Sequence, residues 1–213
     1  MLILTQKLLL KKKKPKVIKL RKPPPLFWRG FLFINNNPQL TLIFCDIINK
    51  INKFMPKIVK FLLAVLLCEG AGIVGSFFTT PSIGSWYATL SKPSFNPPNW
   101  IFAPVWTLLF FLMGVSLYLV WCKKDNLPVG GKRVAVLVFF QQLSLNILWS
   151  ALFFGLHNPF LAFCEIILLW LSILMTIFYF SKISKAAAWL LLPYILWVSF
   201  AAFLNFSIWR LMV

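Results

Sequence analysis

The stretch WYATLSKPSFNPPNWIFAPVW, Trp86 to Trp106, decides how this chain is read. It holds four prolines (Pro93, Pro97, Pro98, Pro104) and six aromatics (Trp86, Tyr87, Phe95, Trp100, Phe102, Trp106). Proline fixes φ and removes a backbone donor, so a segment this rich in it is stiff without helix or strand partners. Its aromatics need an apolar place to go, whereas Lys92 needs water or headgroups. It reads as a rigid connector between two apolar runs, laid like a lid over whatever those runs enclose.

Working outward, the flanks are apolar for about 20 residues at a time, the length that crosses a hydrocarbon core. Five spans are expected, over about 58–79, 100–122, 133–154, 159–181 and 186–209. The chain is 60% hydrophobic, 17% aromatic and 12% charged, against about 25% charged in a soluble domain. The expected fold class is an all-α integral membrane protein. It is a five-transmembrane-helix bundle, with the proline- and aromatic-rich lid loop between helices 1 and 2. Short connectors elsewhere make sequence neighbours antiparallel.

The net charge of +18 is unevenly held. Residues 1–54 carry 12 Lys/Arg against Asp46, while residues 55–213 carry 10 against Glu69, Asp125 and Glu165. The domain division is therefore a basic N-terminal extension, 1–54, and a membrane domain, 55–213. The extension, with KKKK at 11–14 and PPP at 23–25, is expected to be disordered or to reflect a mis-assigned start, Met55 being the working one. A targeting segment and a membrane-surface arm are the alternatives. Lysine runs beside a membrane body meet anionic headgroups, so nucleic acid is not an expected partner. Of the basic residues near the spans, eight lie on the N-terminal side (Lys57, Lys60, Lys123, Lys124, Lys132, Arg133, Lys182, Lys185). Only Lys92 and Arg210 lie opposite, which puts the N-terminal side in the cytoplasm if the host is a bacterial inner membrane. An organellar membrane is the other setting.

Cys45, Cys68, Cys122 and Cys164 lack ligand-like spacing and His157 is the sole histidine, so no metal site is expected. Polar groups inside spans are costly and hence informative. At about 1.5 Å per residue, Trp106 lies roughly 9 Å in from the loop-side end of its span. Asn146 and Trp149 fall within about 12 Å of the loop-side end of theirs, and Asn205, Ala201 and Trp197 descend the last span at roughly 6, 12 and 18 Å. Gln142 sits one turn below Asn146. These residues suit a ligand cavity with flat aromatic walls and a few polar anchors. They equally suit helix-gluing amides with an interfacial tryptophan belt. Glu69 and Glu165 read as structural acids. Ala71 and Gly75 read as a small-residue contact for a helix in the monomer or across a dimer.

Over 55–213 the chain resembles the TspO/MBR family, the tryptophan-rich sensory proteins and translocator proteins also called peripheral-type benzodiazepine receptors. The opening stretch is similar to that family's WY-x-x-L-x-KP-x-x-x-PP-x-W-x-x-x-P-x-W. QLSLNILWSALFF and PYILWVSFAAFLNFSIWR resemble its helix 3 and helix 5 signatures. The resemblance implies a five-helix bundle, often a homodimer, that binds porphyrins such as protoporphyrin IX, sterols and synthetic aromatic ligands. It places Trp106, Asn146, Trp149, Trp197, Ala201 and Asn205 in the pocket, with Gln142 and Glu165 also at matching polar positions. Trp86, Tyr87 and Pro93 fall in the lid, which Lys92, Pro97 and Pro98 complete. Phe206 stands where the family's sterol-recognition stretch has tyrosine, so tetrapyrrole is the better expectation than sterol.

The function expected is a membrane receptor or sensor for tetrapyrroles and related flat ligands. Trp106, Trp149 and Trp197 enclose the macrocycle, Asn146, Gln142 and Asn205 meet its polar rim, and Lys92 meets a propionate. No covalently bound cofactor is expected; porphyrin is the ligand. The rivals are a photo-oxidative porphyrin-degrading enzyme and a transporter of tetrapyrroles or sterols.

Overall fold

The computed structural model describes residues 55–123 and 131–212; the basic extension expected over 1–54 lies outside the described residues. The described residues form helices and turns, with no strand among them. In order they are α1 (Lys57–Ile83), the one-turn α2 (Trp86–Thr89), α3 (Asn99–Cys122) and α4 (Gly131–Ser150). A π-helical turn, Ala151–Gly155, prolongs α4 and is followed by α5 (Pro159–Ile183), the short α6 (Lys185–Trp189) and α7 (Leu192–Met212). Five stretches are long and apolar enough to cross a membrane: α1, α3, α4 with its π turn, α5, and α6 with α7. The protein is an all-α, multi-pass integral membrane protein embedded in a lipid bilayer. Helices solve the backbone problem there, since lipid offers no hydrogen bonds. Exposed Leu66, Phe77, Leu168 and Leu196 are at ease against acyl chains for the same reason.

The element ends differ from the expected ones in ways that matter for the loop. α1 continues through Pro81 to Ile83, so the connector narrows to residues 84–98 and contains α2. Side chains hold this end in place: Ser85 Oγ donates to Pro81 O at 2.8 Å, and Ser82 Oγ donates to Phe154 O at 2.8 Å. Pro98 stands at the N-cap of α3, where a missing N–H costs nothing. α5 starts sharply because Asn158 Oδ1 accepts from Leu161 N at 3.0 Å and Pro159 opens the helix. The last span is interrupted at Leu190–Leu191 and restarts just ahead of Pro193, which sits in the first turn of α7.

Packing is tightest where α1 meets α3. α1 buries Ala64, Cys68, Ala71 and Gly75, a stripe of small side chains at helical spacing. At the crossing, a Cβ on Gly114 of α3 would lie 2.7 Å from Val65 Cα and 3.1 Å from Ala64 O. The helices touch backbone to backbone. Around this contact the core fills with Met113, Leu117 and Val120, and Phe139 of α4 stacks on Phe180 of α5 at 5.6 Å. Ser116 Oγ donates to Ala187 O at 2.7 Å, tying α3 to α6.

Gly114→Ala must therefore push α1 away, since backbone atoms cannot rotate aside. The expected cost is about 1–3 kcal/mol, read as a lower unfolding temperature in detergent. An unchanged midpoint would show that the crossing is looser than drawn.

Candidate functional site

A cavity of about 360 Å³ opens on the loop side of that crossing. α1 contributes Glu69, Gly72, Gly75 and Ser76, with Thr79, Thr80 and Ile83 above them. α3 contributes Phe102, Trp106 and Phe110; α4 and its π turn contribute Asn146, Trp149 and Phe153; α7 contributes Trp197, Ala201 and Asn205. Tyr87 reaches the wall from α2. Two glycines make room. A Cβ on Gly72 would meet the Phe110 ring at 2.6 Å, and one on Gly75 would meet Ser150 Oγ at 3.3 Å.

Six residues expected in a pocket thus share one wall surface: Trp106, Asn146, Trp149, Trp197, Ala201 and Asn205. Their polar atoms are mostly engaged. Asn146 Nδ2 donates to Tyr194 Oη at 3.0 Å, joining α4 to α7. Trp149 Nε1 donates to Asn205 Oδ1 at 3.0 Å, and Asn205 Nδ2 donates to Pro159 O at 2.8 Å. Asn205 is a bracket joining three elements, with both its N–H···O and O···H–N functions already used, rather than a free donor for a ligand rim. Trp197 differs: its Nε1 is buried with no hydrogen-bond partner among the described residues.

Gln142 departs from expectation. It is absent from the cavity wall and only 1% exposed, with Nε2 3.7 Å from Met113 Sδ. One helical turn lower than Asn146 takes it out of the cavity and into the packed core. Glu165 is also buried in the bundle off the wall, and neither carboxyl oxygen has a partner among the described residues.

The connector is braced by its own side chains. Tyr87 Oη donates to Asn96 Oδ1 at 2.8 Å, and Asn96 Nδ2 donates to Pro97 O at 3.0 Å. Asn96 N donates to Pro93 O at 3.0 Å, closing a turn. Burial pushes the Tyr87 phenol above its ordinary pKa, with the Asn96 bond pulling the other way. Lys92 Nζ donates to Leu90 O at 3.3 Å and Ala88 O at 3.4 Å and sits 4.7 Å over the Tyr87 ring. It leans on the loop's own carbonyls and lies off the cavity wall. Trp86 stacks on His157 at 4.4 Å and abuts Phe153 at 5.5 Å. Of the expected lid residues, Tyr87 alone lines the cavity; Trp86, Lys92, Pro93, Pro97 and Pro98 shape the loop around it.

The α1 wall and the π turn lie outside the residues that the sequence assigns to the pocket. Gly72, Gly75, Ser76 and Thr79 are small, a pattern that helix packing also produces. The Ala71–Gly75 spacing was the available signal, and it pointed to a neighbouring helix. Phe206, in the place where the resemblance has tyrosine, lies off the wall and packs against Phe163 and Trp209 at 5.3 and 5.8 Å.

Such a fold and site define a class: a multi-pass helical membrane protein built around an aromatic-walled cavity beneath one stiff loop. The chain belongs to the TspO/MBR family, whose sequence profile matches residues 64–210. It is 47% identical over 154 residues to the tryptophan-rich protein TspO of Archaeoglobus fulgidus, covering 72% of this chain and 97% of that one. With the protein of the same name from Chlorobaculum tepidum it shares 47% over 160 residues, 73% and 97% of the two chains. With the human translocator protein it shares 36% over 143 residues, 64% and 80% of the two chains.

The Asn205 bracket makes a sharp prediction. Asn205→Leu leaves the Trp149 N–H unpaired and strips the Pro159 carbonyl of the side-chain donor it holds beside its helical one. The expected loss is about 1–3 kcal/mol, above the roughly 0.6 kcal/mol of a typical interhelical bond in a membrane. Thermal unfolding in detergent measures it, and a loss below about 0.5 kcal/mol would rule the bracket out.

Proposed function

We propose that this cavity receives a tetrapyrrole of the protoporphyrin IX type and that the protein is a membrane receptor or sensor for it. The observation carrying the reading is that Trp106, Trp149 and Trp197, on three different helices, border one cavity. Flat indole walls suit a flat conjugated ligand, and each aromatic pair adds about 0.5–1.5 kcal/mol beyond its burial. The volume falls in the range of small-molecule sites, roughly 300–1,000 Å³. Exposed wall residues between α1 and α3, namely Ser76, Thr80, Ala103 and Thr107, leave that side open, so a large macrocycle need not be wholly enclosed. One relative, from Cereibacter sphaeroides, is named a tryptophan-rich sensory protein, in keeping with the sensing role. The reading includes no covalently bound cofactor, and it includes pairing of two copies in the bilayer.

Titrating the full chain in lipid nanodiscs with protoporphyrin IX should quench tryptophan fluorescence saturably. Trp106→Ala combined with Asn146→Ala should weaken the affinity by about 10–100-fold, or about 1.4–2.8 kcal/mol. Affinity unchanged in the double variant would move the site elsewhere. Under illumination, a new absorbing species lost in Trp106→Phe and Trp149→Phe would instead assign porphyrin breakdown.

A further inference from the structure

α5 and α6 meet at an elbow of one residue, Ser184, at the end of the bundle away from the connector. The inner side of the elbow is locked into the core: Ala187 and Ala188 are buried, and Ala187 O accepts from Ser116 Oγ. The outer side carries Lys182 in the last turn of α5, Lys185 at the start of α6 and Trp189 one turn further on, all three exposed. Lys182 Nζ sits 4.9 Å over the ring of Phe178, which is itself exposed on α5. Among the described residues neither lysine has a hydrogen bond or an ion pair, and none bonds the Trp189 indole. Lys132, by contrast, donates to the carbonyls of Trp121 and Lys123. The described acids, Glu69 and Glu165, both lie within spans, so no carboxylate among the described residues answers the charge at this end.

We propose that this elbow binds the headgroup of an anionic phospholipid, in the leaflet away from the connector. The site stands apart from the cavity and does not depend on what fills it. Lysine lays its apolar stem along hydrocarbon and keeps its ammonium at the polar boundary, and Lys182 does so against Phe178. Tryptophan settles at the membrane–water interface, so exposed Trp189 marks the level at which lipid phosphates pass. A phosphate drawn between two ammonium groups gains from both. A zwitterionic lipid brings its own cation along and gains less. Each lysine near an anionic surface is worth about fivefold in affinity. The apolar surface of Phe178 and Trp189 beside the charges fits an acyl-bearing anion rather than a soluble one.

The test titrates the full chain in detergent with phosphatidylglycerol and with phosphatidylcholine, and reads the first bound lipid by native mass spectrometry. Wild type should hold phosphatidylglycerol tighter by about fivefold or more. Lys182→Gln with Lys185→Gln should bring the two lipids within about twofold of each other. Lys182→Arg with Lys185→Arg, which retains both charges, should keep the wild-type ratio. Lys57→Gln with Lys60→Gln, on α1, should leave that ratio within about twofold of wild type. Equal affinities in wild type would overturn the inference. So would a loss as large in the α1 variant as in the elbow variant, since the preference would then belong to the whole basic end. Displacement of bound phosphatidylglycerol by inorganic phosphate would overturn it as well, by assigning the elbow to a soluble anion.

Discussion

Hydrocarbon has no hydrogen bonds to lend, so each polar group inside this bundle must find its partner in the protein or stand unpaired at a cost. That constraint sorts the buried polar side chains into two kinds. Asn146 with Tyr194, Trp149 with Asn205 and Pro159, and Ser116 with Ala187 are paired across elements, and these pairs set the framework. The Trp197 N–H, Gln142 Oε1 and both Glu165 carboxyl oxygens are buried without partners among the described residues. The paired groups explain why the helices stand where they do. The unpaired ones mark where the framework carries a cost, in the packed core as well as beside the cavity.

The framework also needs α1 and α3 in direct contact, and small residues provide it. Ala64 and Val65 on one helix and Gly114 on the other let two backbones meet at the end away from the loop. Toward the loop, Phe110 and Trp106 take over as the facing side chains, and the space between the helices becomes cavity. One pair of helices thus supplies both the firmest contact and the hollow, the switch being made by side-chain size along α3.

Much of this was legible in the sequence. Apolar run length gave the five spans, because crossing distance and helical rise are fixed quantities. The depth argument for Trp106, Asn146, Trp149, Trp197, Ala201 and Asn205 succeeded because rise per residue converts position into level. Level alone failed for Gln142, which packs beside Met113 in the core, a contact that no spacing reveals. Lys92 shows a second limit: a charge is visible in the sequence, but the carbonyls of Ala88 and Leu90 that occupy it are not. The π turn had no signal at all, and it is what swings Phe153 and Phe154 toward the wall.

The corner where that turn meets the end of α1 has a mechanical meaning. Ser82 Oγ donates to Phe154 O and stands 3.4 Å from His157 Nε2; the His157 backbone takes φ 52, and its ring lies flat on Trp86. The first half of the connector is thereby pinned to the bundle, with Tyr87 carried along. The second half, residues 91–97, is tied to that pin through the Tyr87–Asn96 bond. Phe95 rests on Phe203 at 5.1 Å, so lifting the roof would mean breaking a hydrogen bond at one side and a ring contact at the other.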